Sequence, residues 1–238
     1  MTGKTVPGRE LLRPDICLGE RKVDEIMKKQ GILTIISGFS GVGKGTIVSR
    51  LLEKYPQDYC LSISATTRAP REGEKDGVNY FFVSKTDFEK MIREERLLEY
   101  ARYVDNYYGT PKDFVLDQLA KGVHVILEIE MQGAKKIKAQ YPQTLMIFVA
   151  PPKASDLKDR LMGRGTESQE QIKSRLARAA QESVYMEDYE YIVVNDQVER
   201  AVEEIHQIIA NEQDRTQRQG EFISQLTKEL NQMYDAMD

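Results

Sequence analysis

Apolar and polar positions alternate along this chain in a pattern that predicts short buried strands separated by amphipathic helices. The first clear strand is 32–36, an apolar, β-branched run of the kind that is buried on both faces. After a glycine-rich segment, apolar residues recur at helical spacing between Ile47 and Leu52. Strands that alternate with helices favour a parallel sheet with helices on both faces, which is an α/β fold.

The same pattern predicts further elements downstream. Strands are expected at 61–64, 79–83, 98–103, 123–129, 145–149 and 191–194, and helices at 85–96, 111–121, 154–162, 169–186 and 198–211. In the stretch 61–110 the predicted strands are closely spaced, Tyr and Arg are frequent, and only one helix is predicted. We therefore interpret 61–110 as an insertion between two core elements.

The two ends of the chain differ from the middle. Residues 1–30 are polar with scattered apolar positions, and we interpret them as an extension with a short helix near 22–30. Residues 213–238 place apolar side chains three to four apart, from Phe222 to Met237, which predicts a C-terminal amphipathic helix. Gly220 separates this helix from the one before it.

Composition narrows the class of protein further. The chain has 238 residues and a net charge of −4, so it has no overall attraction for nucleic acid or for an anionic membrane. Cys17 and Cys60 form no Cys/His cluster, which argues against a disulfide scaffold or a zinc site. Because the sequence carries neither a long apolar run nor an apolar signal-type start, we expect a soluble, cytoplasmic protein.

A glycine-rich loop follows the first strand and precedes the first helix. Its glycines let successive backbone N–H groups point at phosphate oxygens, and Lys44 adds a full positive charge. The alternative is a glycine-rich turn that binds no ligand. The predicted phosphate-binding residues are Gly38, Phe39, Ser40, Gly41, Val42, Gly43, Lys44, Gly45 and Thr46.

The residue after the lysine departs from the usual phosphate-loop pattern. A Ser or Thr that touches Mg²⁺ is expected there, but this chain has Gly45, and Thr46 comes next. The sequence Gly-Lys-Gly-Thr resembles the loop of the adenylate kinases. We therefore expect no direct protein ligand to the metal, which would be held by nucleotide phosphates and water.

A second anion site is predicted near residue 70. Arg68 and Arg71 are three apart, flanked by hydroxyl groups and by Pro70, and Tyr80 adds a phenolic donor. Paired guanidinium groups suit a phosphate because each donates two parallel hydrogen bonds. The alternative is an exposed loop of balanced charge.

The order of motifs around this site resembles the guanylate kinase family, of the bacterial type. The resemblance rests on Thr66-Thr67-Arg68-x-x-Arg71-x-x-Glu74-x-x-Gly77-x-x-Tyr80-x-Phe82, Glu99-Tyr100-Ala101, Asn106-Tyr107-Tyr108-Gly109-Thr110, Glu128-Ile129-Glu130-Met131-Gln132-Gly133, Ala150-Pro151-Pro152, Arg160-Leu161-Met162-Gly163-Arg164-Gly165-Thr166-Glu167 and Val194-Asn195-Asp196. It covers about 31–211, and it implies a family-like domain at 31–212 with a mobile lid at 154–175.

The resemblance implies an α/β nucleoside monophosphate kinase fold with a P-loop, an inserted GMP-binding region and a role in purine nucleotide metabolism. The substrates would be ATP, with Mg²⁺, and GMP. By this resemblance the GMP phosphate ligands are Arg68, Arg71, Tyr80 and Tyr108, the guanine-recognising residues are Ser64, Glu99, Thr110 and Glu130, the catalytic residues are Lys44, Arg160, Arg164 and Arg175, and Asn195 joins the ATP-binding loop.

Two positions depart from the family pattern. Glu128 and Glu130 stand where many relatives carry aspartates, and each has one more methylene group. Glu130 reaches guanine if the backbone lies slightly farther away. Glu128 is a candidate to orient magnesium-bound water, and a partner of Lys44 or Thr46 is the alternative.

Three functions are compatible with these residues. The principal hypothesis is phosphoryl transfer from ATP to GMP, giving ADP and GDP. The alternatives are another nucleoside monophosphate kinase and a non-catalytic guanylate-kinase-like binding module. Lys44 and the arginines of the predicted lid argue against the binding module, which would not need them for catalysis. Glu99 argues against a nucleoside monophosphate kinase that acts on another base. We expect either a monomer or a homodimer, because the C-terminal helix needs a surface that covers its apolar side.

Overall fold

Two separate sheets organise the larger of two compact units, which spans Gln30–Arg218. The computed structural model describes residues 30–103, 105–163 and 168–237. The helix predicted at 22–30 and Arg164 therefore lie outside the described residues, apart from Gln30. The strands are β1 (Leu33–Gly38), β2 (Tyr59–Leu61), β3 (Ala65–Thr66), β4 (Phe81–Phe82), β5 (Leu97–Tyr103), β6 (Asn106–Pro111), β7 (His124–Leu127), β8 (Leu145–Ala150) and β9 (Tyr191–Val194).

Helices connect most of these strands. They are α1 (Lys44–Lys54), α2 (Lys85–Arg93), α3 (Lys112–Ala120), α4 (Met131–Gln140), α5 (Ala154–Gly163), α6 (Gln169–Glu182), α7 (Val198–Glu212) and α8 (Gly220–Asp235), with 3₁₀ turns at Ser183–Asp188 and Thr216–Arg218. None of the described helices is both long and apolar enough to cross a membrane.

The first sheet is parallel and forms the core. Its strand order is β2-β7-β1-β8-β9, so β1 lies in the centre with β7 and β8 as neighbours. Ile35 and Ile36 on β1 are fully buried, as expected for a strand covered on both faces. The predicted α/β fold with a parallel, helix-flanked sheet is confirmed. The phosphate loop leaves β1 at its carboxyl end, where ligands of such sheets bind.

The second sheet is mixed, and all of its strands lie between Ala65 and Pro111. Its order is β4-β3-β6-β5, with β3 and β5 antiparallel to β6. Gly109 on β6 allows a close approach here, because a Cβ would lie 2.9 Å from the carbonyl oxygen of Glu99. The strands of this sheet and the segments that adjoin them carry most of the side chains expected to bind GMP.

Several local predictions were wrong. The second core strand covers Tyr59–Leu61 instead of 61–64, because Tyr59 pairs with His124 at the start of β7. Helix α4 was missed because its buried residues, Met131, Ala134 and Ile137, form only a narrow apolar stripe among lysines and a glycine. The helix predicted at 169–186 ends at Glu182 and continues as a 3₁₀ turn.

Candidate active site

The loop between β1 and α1 has a backbone shape that only glycine permits at several positions. Gly41 and Gly43 have φ angles of 89° and 99°. A Cβ on Gly43 would lie 2.6 Å from Nδ2 of Asn195, and a Cβ on Gly38 would lie 2.3 Å from the carbonyl oxygen of Val149. Real Cβ atoms do not approach other atoms so closely, so no larger residue fits at these two glycines. The neighbouring atoms thus hold the loop in its curled conformation.

Lys44 is the first residue of α1, and its side chain turns back over the loop. Its Nζ donates to the carbonyl oxygens of Gly38 at 2.6 Å and Phe39 at 3.2 Å. Burial lowers the pKa of Lys44, and the negative charge of Glu128 opposes that shift. The ammonium group is thus held at the carboxyl end of β1, where P-loop enzymes bind phosphates.

Arg160 and Asn195 both donate hydrogen bonds to the backbone of the phosphate loop. Arg160, on α5, donates to the carbonyl oxygens of Val42 at 3.0 Å and Asn195 at 2.7 Å. Nδ2 of Asn195 donates to the same oxygen of Val42 at 2.8 Å. The structure therefore brings both residues to the loop, but it directs the Arg160 guanidinium at backbone carbonyls. Its role in phosphoryl transfer stays a prediction.

Arg175 approaches the loop from α6. This helix begins with a capping box, in which Ser168 and Gln171 each bond to the other's backbone N–H. Two turns later, Nη1 of Arg175 donates to the hydroxyl of Ser40 at 2.7 Å. The capped helix thus positions one of the predicted arginines directly on the phosphate loop.

Arg68 is held in place by its neighbours on the second sheet. It donates to Oε1 of Glu74 at 2.8 Å, and only 15% of its side chain is exposed. Its guanidinium lies 5.4 Å from the ring centre of Tyr80 and 5.8 Å from that of Phe82, a distance suited to cation–π contact. The Glu74 carboxylate and the two rings together hold the guanidinium in place.

The other predicted phosphate ligands surround Arg68. The rings of Tyr80 and Tyr108 lie edge to face, with centres 6.1 Å apart. The backbone N–H of Arg71 donates to Oε2 of Glu74 at 2.7 Å, so one carboxylate positions the segments that carry both arginines. The Arg71 side chain itself is exposed. These contacts group the residues expected to bind a second phosphate.

Glu99 and Thr110 form a pair on neighbouring strands of the second sheet. The Thr110 hydroxyl, which is buried, donates to Oε1 of Glu99 at 3.0 Å. Burial raises the pKa of Glu99, and the bond from Thr110 lowers it. The carboxylate also packs against the first turn of α4, since Oε2 would lie 3.4 Å from a Cβ on Gly133.

Ser64 comes directly before β3, and its carbonyl oxygen accepts the N–H of Phe81 at 2.9 Å. Its side chain is half-buried on the same sheet as Thr110. Ser64, Glu99 and Thr110 therefore lie on or beside the second sheet, whereas the fourth predicted guanine contact, Glu130, is an exposed residue that directly precedes α4. The binding roles of all four stay predictions.

Glu130 reaches a residue that sequence reasoning missed. Its Oε2 accepts from Nη2 of Arg178 at 2.8 Å, and Nε of Arg178 donates to Glu182 at 2.8 Å. The sequence did contain a signal for Arg178, because it lies three residues after Arg175 and hence on the same helix face. Helix α6 thus contacts both the phosphate loop and Glu130.

Glu128 lies beside the start of α1. Both of its carboxylate oxygens would be 3.9 Å from a Cβ on Gly45. Desolvation raises the pKa of Glu128, and the charge of Lys44 lowers it. Across residues 30–103, 105–163 and 168–237, no three His, Cys, Asp or Glu side chains converge as a metal site. A single carboxylate next to the phosphate loop suits a hydrated ion better than direct coordination.

A parallel sheet, a glycine-rich loop at the end of its central strand and a lysine folded over that loop place this chain among the P-loop phosphotransferases. Comparison with known proteins is more specific, because residues 30–212 match the family model described as guanylate kinase. This match covers well over half of the sequence, so the chain belongs to the guanylate kinase family.

Individual relatives agree. Guanylate kinase of Caldanaerobacter subterraneus subsp. tengcongensis is 50% identical over 203 residues, which cover 85% of this chain and 98% of the relative. Guanylate kinase of Bacillus cereus is 48% identical over 202 residues, again 85% and 98%. The crystal structure of guanylate kinase from Anaplasma phagocytophilum is similar with a TM-score of 0.64 and 31% identity, covering 81% of this chain and 92% of that one.

Proposed function

We propose that this chain transfers the terminal phosphoryl group of ATP to GMP, giving ADP and GDP. The observation that carries the proposal is the Glu99–Thr110 pair, which presents a carboxylate and a hydroxyl on the same lobe as Arg68 and the two tyrosines. Guanine has two adjacent donors, N1–H and the 2-amino group, and a carboxylate accepts both. Adenine has an acceptor at N1, which would leave the carboxylate unpaired, and unpaired buried polar groups give strong discrimination.

The reaction needs no general base. The acceptor is a phosphate oxygen, which is largely ionised near neutral pH because the second phosphate pKa is about 6. The protein must instead align two polyanions and neutralise the charge on the transferring group. Lys44 and Arg175 supply positive charge at the phosphate loop, and Arg68 and Arg71 supply it at the acceptor.

Arg160 supports this arrangement in a different way. Through its bonds to Val42 and Asn195 it fixes the backbone of the loop, so that the loop N–H groups keep their direction when charge moves. Preorganised donors are effective because they need no rearrangement during the reaction. Arg164, at the centre of the proposed lid at 154–175, would add a further charge over ATP.

The residues beside the loop fit a hydrated Mg²⁺ ion. Gly45 has no side chain to coordinate it, while the Glu128 carboxylate and the Thr46 hydroxyl border the start of α1 and would hold the ion through water. When bound, the ion neutralises part of the negative charge of the ATP phosphates. We also propose that the protein works in the cytoplasm.

One assay separates this function from its alternatives. Coupled ADP release is measured with ATP and Mg²⁺ and with GMP, AMP, CMP or UMP as the acceptor. Phosphorylation of GMP at a kcat/KM at least a hundredfold above the others is expected from a base site that leaves wrong bases unpaired. Preference for another acceptor would mean a different monophosphate kinase, and no turnover with any acceptor would mean a binding module.

A further inference from the structure

One side chain outside the family motifs joins helix α6 to Glu130, a proposed guanine contact. Arg178, on α6, is bonded at 2.8 Å to Glu130 through Nη2 and at 2.8 Å to Glu182 through Nε. The donors of a guanidinium lie in one rigid plane, so fixing Nε also fixes the direction of Nη2. Glu182 is only 19% exposed and one helical turn away, and it therefore serves as the anchor of this arrangement.

The length of the Glu130 side chain matters for this contact. Glu130 is the N-cap residue of α4, yet its side chain makes no capping hydrogen bond. An aspartate at an N-cap accepts an N–H of its own helix. The glutamate is one methylene longer, and its carboxylate extends away from α4 to Arg178 on α6. The longer side chain of Glu130 thus allows an ion pair with Arg178 that connects helices α4 and α6.

We infer that Arg178 is a positioning residue for GMP, which it serves by holding Glu130; this inference rests on the guanine contact proposed for Glu130. The carboxylate has two oxygens, of which Arg178 occupies Oε2 and leaves Oε1 for the donors of guanine. Glu130 is 75% exposed, so without Arg178 its side chain samples several rotamers. GMP must then restrict that motion when it binds.

The same helix transmits this arrangement to the phosphate loop. Arg175 contacts Ser40 of the loop, and Arg178 contacts Glu130 one helical turn later. A displacement of α6 therefore moves the contacts to both nucleotides together. Burial is the main cause that lowers the pKa of Lys44, and among the nearby charges Glu182 and Glu130 raise it while Arg178 lowers it. A test must therefore separate an effect on GMP from a general change of charge.

Steady-state kinetics of Arg178→Gln and Arg178→Lys make that separation. Loss of one charge-assisted hydrogen bond should raise the KM for GMP by about threefold to tenfold in Arg178→Gln. The kcat and the KM for ATP should stay within about twofold. Arg178→Lys restores the charge but not the planar group that bonds Glu182 and Glu130 together, so it should recover only part of the loss.

Arg50→Gln is the matched control. Arg50 is 50% exposed and bridges Glu199 at 2.7 Å and Glu53 at 3.0 Å, so it resembles Arg178 in exposure and in bonding but contacts no proposed site residue. Its replacement should leave the KM for GMP unchanged. Thermal melting of all variants verifies that they fold.

A double-mutant cycle with Glu130→Gln decides the mechanism. If Arg178 acts through Glu130, Arg178→Gln should change the KM for GMP less than twofold in the Glu130→Gln background. Additive effects, or equal rises in KM for ATP and GMP, would overturn the inference. If Glu130→Gln raises the KM for GMP but Arg178→Gln and Arg178→Lys do not, the inference fails while the proposed guanine contact stands. If Glu130→Gln has no effect, that contact is wrong as well.

Discussion

Replacing Glu99 by Gln tests base recognition with little change of shape. The carboxylate accepts from Thr110 through Oε1 and has its remaining acceptor sites for guanine. In the amide, one oxygen becomes an NH₂ group. If this NH₂ group faces guanine, its hydrogens meet the N–H donors of the base and no hydrogen bond forms there. If it faces Thr110, the hydroxyl must reverse its bond, and guanine meets a neutral oxygen where a charged one was.

Both outcomes weaken transition-state binding of GMP. Hydrogen bonds to charged groups contribute about 1.5–3 kcal/mol, and an unsatisfied buried group costs about 1–3 kcal/mol. We therefore expect a loss of about 2 kcal/mol in Glu99→Gln, which lowers kcat/KM for GMP about 30-fold. The KM for ATP should stay nearly constant, because Glu99 lies on the second sheet whereas the phosphate loop leaves the parallel sheet.

Inosine monophosphate sharpens the assay. Its base lacks the 2-amino group, so it offers the carboxylate one donor instead of two. The wild-type protein should prefer GMP to inosine monophosphate, and Glu99→Gln should reduce that preference because the amide has lost the acceptor that distinguishes them. A fall in GMP kcat/KM of less than threefold, or parallel losses with ATP, would refute the proposed role of Glu99.

Three further predictions concern the loop, the core and the tail. Lys44→Ala should lower kcat on the order of a thousandfold without loss of fold, since it removes the mobile charge at the transferring group; a variant that keeps a tenth of wild-type turnover contradicts this role. His124 accepts the N–H of Ile32 at Nδ1, and burial lowers the pKa of His124 from 6.5 to about 4. The contribution of His124 to stability is therefore complete above pH 6.5 and declines as the pH falls towards 4. In urea unfolding between pH 7 and pH 4.5, the wild-type protein should lose about 2–3 kcal/mol more than His124→Asn, which keeps an acceptor but does not titrate; equal losses would show that His124 does not titrate as stated. Truncation after Arg218 removes α8 with its exposed Ile223, Leu226 and Leu230 and should leave the KM for GMP unchanged, while sedimentation of full-length and truncated chains tests whether this helix forms a homodimer; if both chains are monomers, the dimer is wrong.

Local chemistry explains which parts of the molecule the sequence predicted well. The loop before Lys44 was predictable because its glycines meet a requirement of the backbone within a few residues. The strand at 191–194 and the central strands were predictable because their apolar runs are continuous. In contrast, β3 has only two residues and is defined by pairing with β6, about forty positions later, which no local pattern reveals.

The candidate site was predictable only in its types of residue. Arg160 was expected at ATP, but its bonds to the carbonyl oxygens of Val42 and Asn195 depend on how α5 packs behind the loop. The Arg178–Glu130 pair joins residues 48 positions apart, so it exists only once α6 lies over the start of α4. Side chains whose partners are distant in sequence need the fold before their roles can be proposed.

The central position of β1 has a consequence for how the chain folds during synthesis. Ile32 meets His124 at the start of β7 across a separation of 92 residues, and β8 is synthesised later still. At about 5–20 residues per second, the ribosome takes about 5–20 s to add β7 after β1. Helix α1, which contacts β1, is synthesised at the start of that interval and can shield one side of this apolar strand. The antiparallel pairing of β5 with β6 needs only a short loop, so the second sheet can form before the parallel sheet is complete.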